Sequence, residues 1–179
     1  SPGTAILTVT QAANGNCTAG STTVTVNVTT CSPPIWEENF DYGCADGNIN
    51  ALTTDWAVFS GSGTNTFRYS TSGGLSYTGY GSSGIGGAAY YRQGNGEDIR
   101  REIKFSDGTF PSTGSLYASF LVNMIAVNAT SDYFIGFMDN NTTPAYYSRI
   151  HTRTSGSGYQ IGIQKFTGTI QWSSVLNFN

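Results

Sequence analysis

His151 is the only histidine of this 179-residue chain, and it stands in the run Tyr146-Tyr147-Ser148-Arg149-Ile150-His151-Thr152-Arg153. In an extended strand alternate residues share a face, so Tyr147, Arg149, His151 and Arg153 fall together. A face of that kind can hold an anionic sugar. It can also carry out β-elimination on uronic acids, with Tyr or His taking a proton while Arg or Gln holds the carboxylate. The plainer reading, which the sequence favours, is a solvated outer strand face. Serine or cysteine hydrolase chemistry needs a base beside the nucleophile, and one histidine without a G-x-S-x-G phrase gives it little support.

The carboxylates offer less. A retaining glycosidase needs two of them ~5–5.5 Å apart across the scissile bond, and on a strand that usually reads E-x-D-x-x-E or similar. No such phrase occurs. Glu37 and Glu38 are adjacent and point to opposite faces. Glu97 and Asp98 do the same, and Arg100 and Arg101 beside them favour a structural ion pair. Asp41, Asp46, Asn48 and Asn50 are closely spaced, and Ca²⁺ takes oxygen ligands from such clusters, so Asp41 and Asp46 are candidate ligands of a structural Ca²⁺. The phrase lacks the EF-hand pattern, and turn-forming Asp and Asn is the plainer reading. Gly84-Ile85-Gly86-Gly87 is not a nucleotide fingerprint, because no helix follows it.

Sugar binding asks for something different. Sugar rings stack their apolar C–H faces on exposed aromatics, while Asn, Gln, Arg and Asp bond the hydroxyls. Tyr77, Tyr80, Tyr90, Tyr91, Tyr146, Tyr147 and Trp172 form the pool of aromatics. The ligand-binding candidates are Tyr77, Tyr80 and Tyr147 with Arg149, His151 and Arg153. Most of the pool is expected in core or rim packing, since Tyr is commonly half-buried.

The elements that must position these residues are strands. Charged residues make up 11% of the chain, against roughly 25% in ordinary soluble domains. Gly, Ser, Thr and Asn fill the gap, and no stretch keeps a helical apolar period for three turns. Net charge is −3 with eight Lys and Arg thinly scattered, so the basic stripe of a nucleic-acid binder is missing. No apolar run approaches the ~20 residues of a membrane helix. The chain opens at Ser1 within strand-like sequence, without a signal peptide, and reads as a mature or cut chain from a secreted protein.

Residues 4–10 (TAILTVT) and 21–30 (STTVTVNVTT) alternate apolar and polar at period two and predict two strands joined at Asn14-Gly15-Asn16. Two strands cannot bury a core alone. Pro33 and Pro34 then stop the ladder, which sets a boundary between residues 1–33 and 34–179. Further strands are predicted at 36–42, 55–59, 68–70 and 87–91, around a glycine-rich loop. The clearest come later, at 115–125 (SLYASFLVNMI), 133–138, 145–153, 159–166 and 171–175, with a hairpin connection at Ser155-Gly156-Ser157-Gly158. The result is an all-β, antiparallel sandwich or jelly roll. Cys17, Cys31 and Cys44 match no zinc spacing. Cys31–Cys44 would close a loop worth about 3 kcal/mol, and Cys17–Cys31 is equally allowed. The third thiol is buried alone or pairs outside this chain.

Several phrases are more specific. Glu38-Asn39-Phe40-Asp41-Tyr42, Asp55-Trp56, Gly73-Gly74-Leu75-Ser76-Tyr77-Thr78-Gly79-Tyr80, Gly96-Glu97-Asp98-Ile99 and Leu116-Tyr117-Ala118-Ser119-Phe120-Leu121-Val122 follow in this order. Together they resemble the concanavalin A-like (lectin/glucanase-type) jelly-roll module of large secreted Bacteroidota proteins, often exported by the type IX secretion system. The resemblance covers residues 35–179. The front piece, residues 1–31, resembles the last β-hairpin of an Ig-like or PKD-like repeat, on the phrase Asn14-Gly15-Asn16-Cys17-Thr18 and the Val/Thr alternation after it.

In the resembled module further strands follow the position of Asn179. The resemblance therefore implies a chain cut at both ends, or one whose missing strands come from a partner by strand addition. It implies an extracellular or cell-surface, non-catalytic module for adhesion or polysaccharide binding. Its partners would be a surface glycan, the rest of a larger polypeptide and, as cargo, the secretion machinery. Two alternatives stand beside it: a structural spacer in a surface fibre or adhesin, and a polysaccharide lyase or glycosidase domain.

Overall fold

The computed structural model describes residues 3–11, 20–28, 34–43, 45–61, 63, 65–81, 83–91, 96–105, 107–109, 113–139 and 145–178. Cys17, Cys31 and Cys44, and the Asn14-Gly15-Asn16 turn, lie outside the described residues. The chain divides into two compact units, Ser1–Ile35 and Trp36–Asn179.

The first unit is one antiparallel hairpin of β1 (Gly3–Gln11) and β2 (Gly20–Val28), in unbroken register from Gly3 opposite Val28 to Gln11 opposite Gly20. Its alternation of β-branched and polar residues is what a half-buried ladder selects.

Every described ladder of the second unit is antiparallel, and one helical turn stands beside them among the described residues. Three strands, β3 (Gly47–Asn48), β5 (Arg68–Ser70) and β6 (Ala88–Tyr90), form one sheet in the order β3-β5-β6. The turn α1 (Ile49–Leu52) follows β3 and takes its first backbone bond from Ile49 N–H to the Phe67 carbonyl. Among the described residues, Ile49 and Tyr69 are the large apolar side chains wholly removed from solvent. Gly87, on the entry to β6, carries no side chain because a Cβ there would strike the Tyr69 ring and the Ser70 carbonyl. A pair, β4 (Ala57–Ser60) and β7 (Asp98–Arg100), forms a second small sheet.

Around these sheets one carboxylate organises the aromatics. Glu38 accepts hydrogen bonds from the Phe40 N–H (2.8 Å), the Tyr42 hydroxyl (2.7 Å), the Trp56 indole N–H (3.1 Å) and the Arg101 guanidinium (2.9 Å). Arg101 also pairs with Asp55 at 2.8 Å and lies over the Trp36 ring. Burial first, and then the neighbouring Glu38, hold the Tyr42 phenol above its ordinary pKa.

The largest sheet has the order β11-β10-β9-β8, from β8 (Asp132–Met138), β9 (Tyr146–Ser155), β10 (Gly158–Lys165) and β11 (Gln171–Trp172). Ser155 pairs with Gly158, so Gly156 and Ser157 alone make the turn. Gly156 takes φ +61°, as the first position of a two-residue hairpin loop requires.

Three expectations fail. Residues 36–42 form no ladder: Phe40 turns to φ +49°, its N–H is taken by Glu38 and its carbonyl by the Gly87 N–H, so backbone groups that would pair with a strand are spent locally. Residues 115–125 form no strand either. Alternation supplies two faces but no partner for the backbone. This segment is tied through side chains, Phe120 against Phe134 and Ser119 to the Tyr80 hydroxyl, while Tyr117 and Ile125 are more than four-fifths exposed. The ion pair expected among Glu97, Asp98, Arg100 and Arg101 is not made. Glu97 is buried and accepts the Gly63 N–H, Asp98 accepts from the Ser60 hydroxyl, Arg100 lies over Phe59, and Arg101 reaches Glu38 and Asp55.

Candidate functional site

The large sheet is two-faced. Ile135, Ile150 and Ile163 stand opposite one another across β8, β9 and β10. The residues between them along the strands point the other way, and that other face is polar. There the row through His151 runs Tyr133, His151, Gly162, Trp172 from β8 to β11. On either side of this row Arg149 faces Gln164 and Arg153 faces Gln160.

Glycine at 162 makes room for the indole. A Cβ there would sit 2.7 Å from the Trp172 ring, so the ring lies across the gap instead of standing beside it. The Arg153 guanidinium stacks on that ring with its carbon 4.1 Å from the centroid. It is fixed in plane by two bonds, from Nε (3.1 Å) and Nη2 (2.9 Å), to the Gln160 carbonyl oxygen. Gln160 in turn donates to the Ser173 carbonyl at 2.7 Å.

Gln164 repeats the device. Its amide donates to the Gly168 carbonyl (2.8 Å), and its oxygen meets His151 Nε2 at 3.1 Å. With the amide so oriented, the Gln164 oxygen can only accept, so Nε2 carries the proton. His151 is 7% exposed, and its Nδ1 has no partner. Arg149 lies over the rings of Tyr133 (5.7 Å) and Tyr146 (5.1 Å) and donates to the Phe166 carbonyl, and its buried Nε also has no partner. Tyr133 and Tyr146 share a hydroxyl–hydroxyl bond of 3.1 Å. Burial and that bond hold the Tyr133 phenol above its ordinary pKa.

The structure thus brings together Arg149, His151 and Arg153. It buries the histidine, where the sequence favoured a solvated face. Tyr147 sits at the end of the same strand, edge-on to Phe166 and about half exposed. Tyr77 and Tyr80 belong to the loop between β5 and β6. Tyr80 bonds Ser119, and Tyr77 is 69% exposed with its N–H on Ser83. Asp46 accepts the N–H and hydroxyl of Thr71, which lowers its pKa, and Asp41 is exposed. No group of three or more His, Cys, Asp and Glu suited to a metal occurs among the described residues.

Tyr133, Gln160 and Gln164 were not singled out from sequence. Both glutamines could have been found by counting back from the two-residue turn, which fixes every partner of β9 on β10. Elsewhere a pocket of about 460 Å³ opens beside Trp36, lined by Asp55, Arg100, Arg101, Glu102 and Lys104. Arg101 there pairs with Asp55 and Lys104 with Glu102, while Arg100 lies over the Phe59 ring.

Comparison of the chain with protein-family models, with curated proteins and with solved structures gave no match.

Proposed function

We propose that this chain is a non-catalytic, polysaccharide-binding module of a larger secreted or cell-surface bacterial protein, built as a concanavalin A-like sandwich. The resemblance to type IX secretion cargo in its sequence supports the setting. The observation that carries the binding reading is the Trp172–Arg153–Gln160 unit. It offers a guanidinium seated on an indole ring and amides beside it for hydroxyls and acidic groups, all held in place before any ligand arrives. Pre-positioned groups bind with less ordering cost.

Lyase chemistry fits this face less well. It asks for a Tyr or His ready to take a proton near neutral pH. The Tyr133 phenol is pushed the wrong way, and the nitrogen of His151 that could take a proton, Nδ1, is buried.

Affinity electrophoresis through polysaccharide-containing gels tests the reading. The native chain is expected to be retarded by at least one polymer, and Trp172→Ala to lose that retardation by about tenfold in affinity, the loss of the ring that holds Arg153 in place. Equal retardation of both proteins would remove this face from the function. No retardation by any polymer would favour the spacer.

A further inference from the structure

We infer that the polysaccharide recognised by this face is acidic, with carboxylate or sulfate groups seated by Arg149 and Arg153. This rests on the reading of the face as a glycan site and names its ligand class. Neither arginine has a carboxylate partner among the described residues. The chain has eleven Asp and Glu against eight Lys and Arg, and all eleven acidic residues are among those described. Yet the ion pairs of the described residues reach Arg101 and Lys104, and none reaches Arg149 or Arg153.

What holds these cations is neutral. Arg153 is set by the Gln160 carbonyl and the Trp172 ring, Arg149 by the Phe166 carbonyl and two tyrosine rings. Aromatic faces and amide oxygens orient a guanidinium while leaving its charge. A half-buried cation with neutral supports retains its pull on an anion, and a guanidinium suits the two-oxygen edge of a carboxylate or sulfate. Between the two arginines the unpartnered Nδ1 of His151 is an acceptor, which suits a sugar hydroxyl and not the anion itself.

The spacing bears on the kind of anion. Arg149 and Arg153 are four residues apart on β9, about 13 Å at the rise of an extended strand. One carboxylate cannot span that distance. A polymer with repeated acidic groups can.

The test measures binding of the whole chain to polygalacturonate and dextran sulfate and to their uncharged counterparts, carboxyl-reduced polygalacturonate and dextran. The expected result is at least about tenfold tighter binding of one acidic polymer than of its counterpart, weakening as salt rises. Arg149→Gln and Arg153→Gln should each lose about tenfold, the worth of one charge-assisted contact. Lys165→Gln, pointing to the other face of β10, should lose nothing. Which acidic polymer wins identifies the anion. Uncharged polymers bound as tightly, or an affinity indifferent to salt, would overturn the inference and leave the glycan-binding reading standing. Binding to none of the four would overturn both. The salt titration uses the unaltered chain, so it decides even where an arginine variant fails to fold.

Discussion

Two regions of this molecule gather aromatic rings around charged side chains, and they treat the charge in opposite ways. At Glu38 a carboxylate collects four donors, and its arginine is shared with Asp55 beneath a tryptophan. Every charge there has an answer within the chain. On the polar face of β8–β11 the rings and the arginines are again stacked, but glutamine stands where the first region has glutamate. A carboxylate opposite Arg153 would neutralise it, whereas the Gln160 amide only aims it. The first arrangement is what a fold does to hold itself together. The second leaves its guanidinium charges without an ion pair among the described residues.

The largest effect that would sharpen this contrast is expected at Glu38. Glu38→Ala leaves the Phe40 N–H and the Tyr42 hydroxyl without their acceptor and Arg101 with Asp55 alone, and should cost about 3 kcal/mol. Chemical denaturation would show it as a lower midpoint. A loss under ~1 kcal/mol would mean that the region is an ordinary surface ion pair.

A smaller effect is expected at Gly162. Gly162→Ala drives a methyl group against Ile170 and the Trp172 ring together, so both must shift and the ring is displaced from Arg153. Overpacking of this sort costs about 1–2 kcal/mol, and glycan affinity should fall together with it. Stability lost with affinity unchanged would separate the indole from the binding face and break the comparison.

How far the sequence carried these conclusions depends on the kind of signal. The face itself was legible: strict alternation from Tyr147 to Arg153 put the arginines and His151 on one side, and the short turn at Gly156-Ser157 kept β10 in register. The β1–β2 hairpin was legible for the same reason, period two between turn residues. Trp172 could be named as an aromatic but not placed. Its position opposite Gly162 depends on the irregular path of residues 166–170, which carries no periodicity. The Glu38 hub was invisible because it joins residues from three separate stretches through side chains. Residues 36–42 and 115–125 misled because apolar patterning reports what a strand would look like without supplying the neighbouring backbone that makes one.

The chain has three tryptophans, Trp36, Trp56 and Trp172, and they divide cleanly between the two regions: Trp36 and Trp56 pack together beside Glu38, while Trp172 lies under Arg153. Nitrogen-15 NMR of the three indole N–H groups during titration with the tightest-binding acidic polysaccharide therefore addresses the central claim most directly. The account predicts that the Trp172 signal moves with ligand while those of Trp36 and Trp56 hold still. Movement confined to Trp36 or Trp56, with Trp172 unmoved, would contradict it and place the ligand at the pocket beside Arg101.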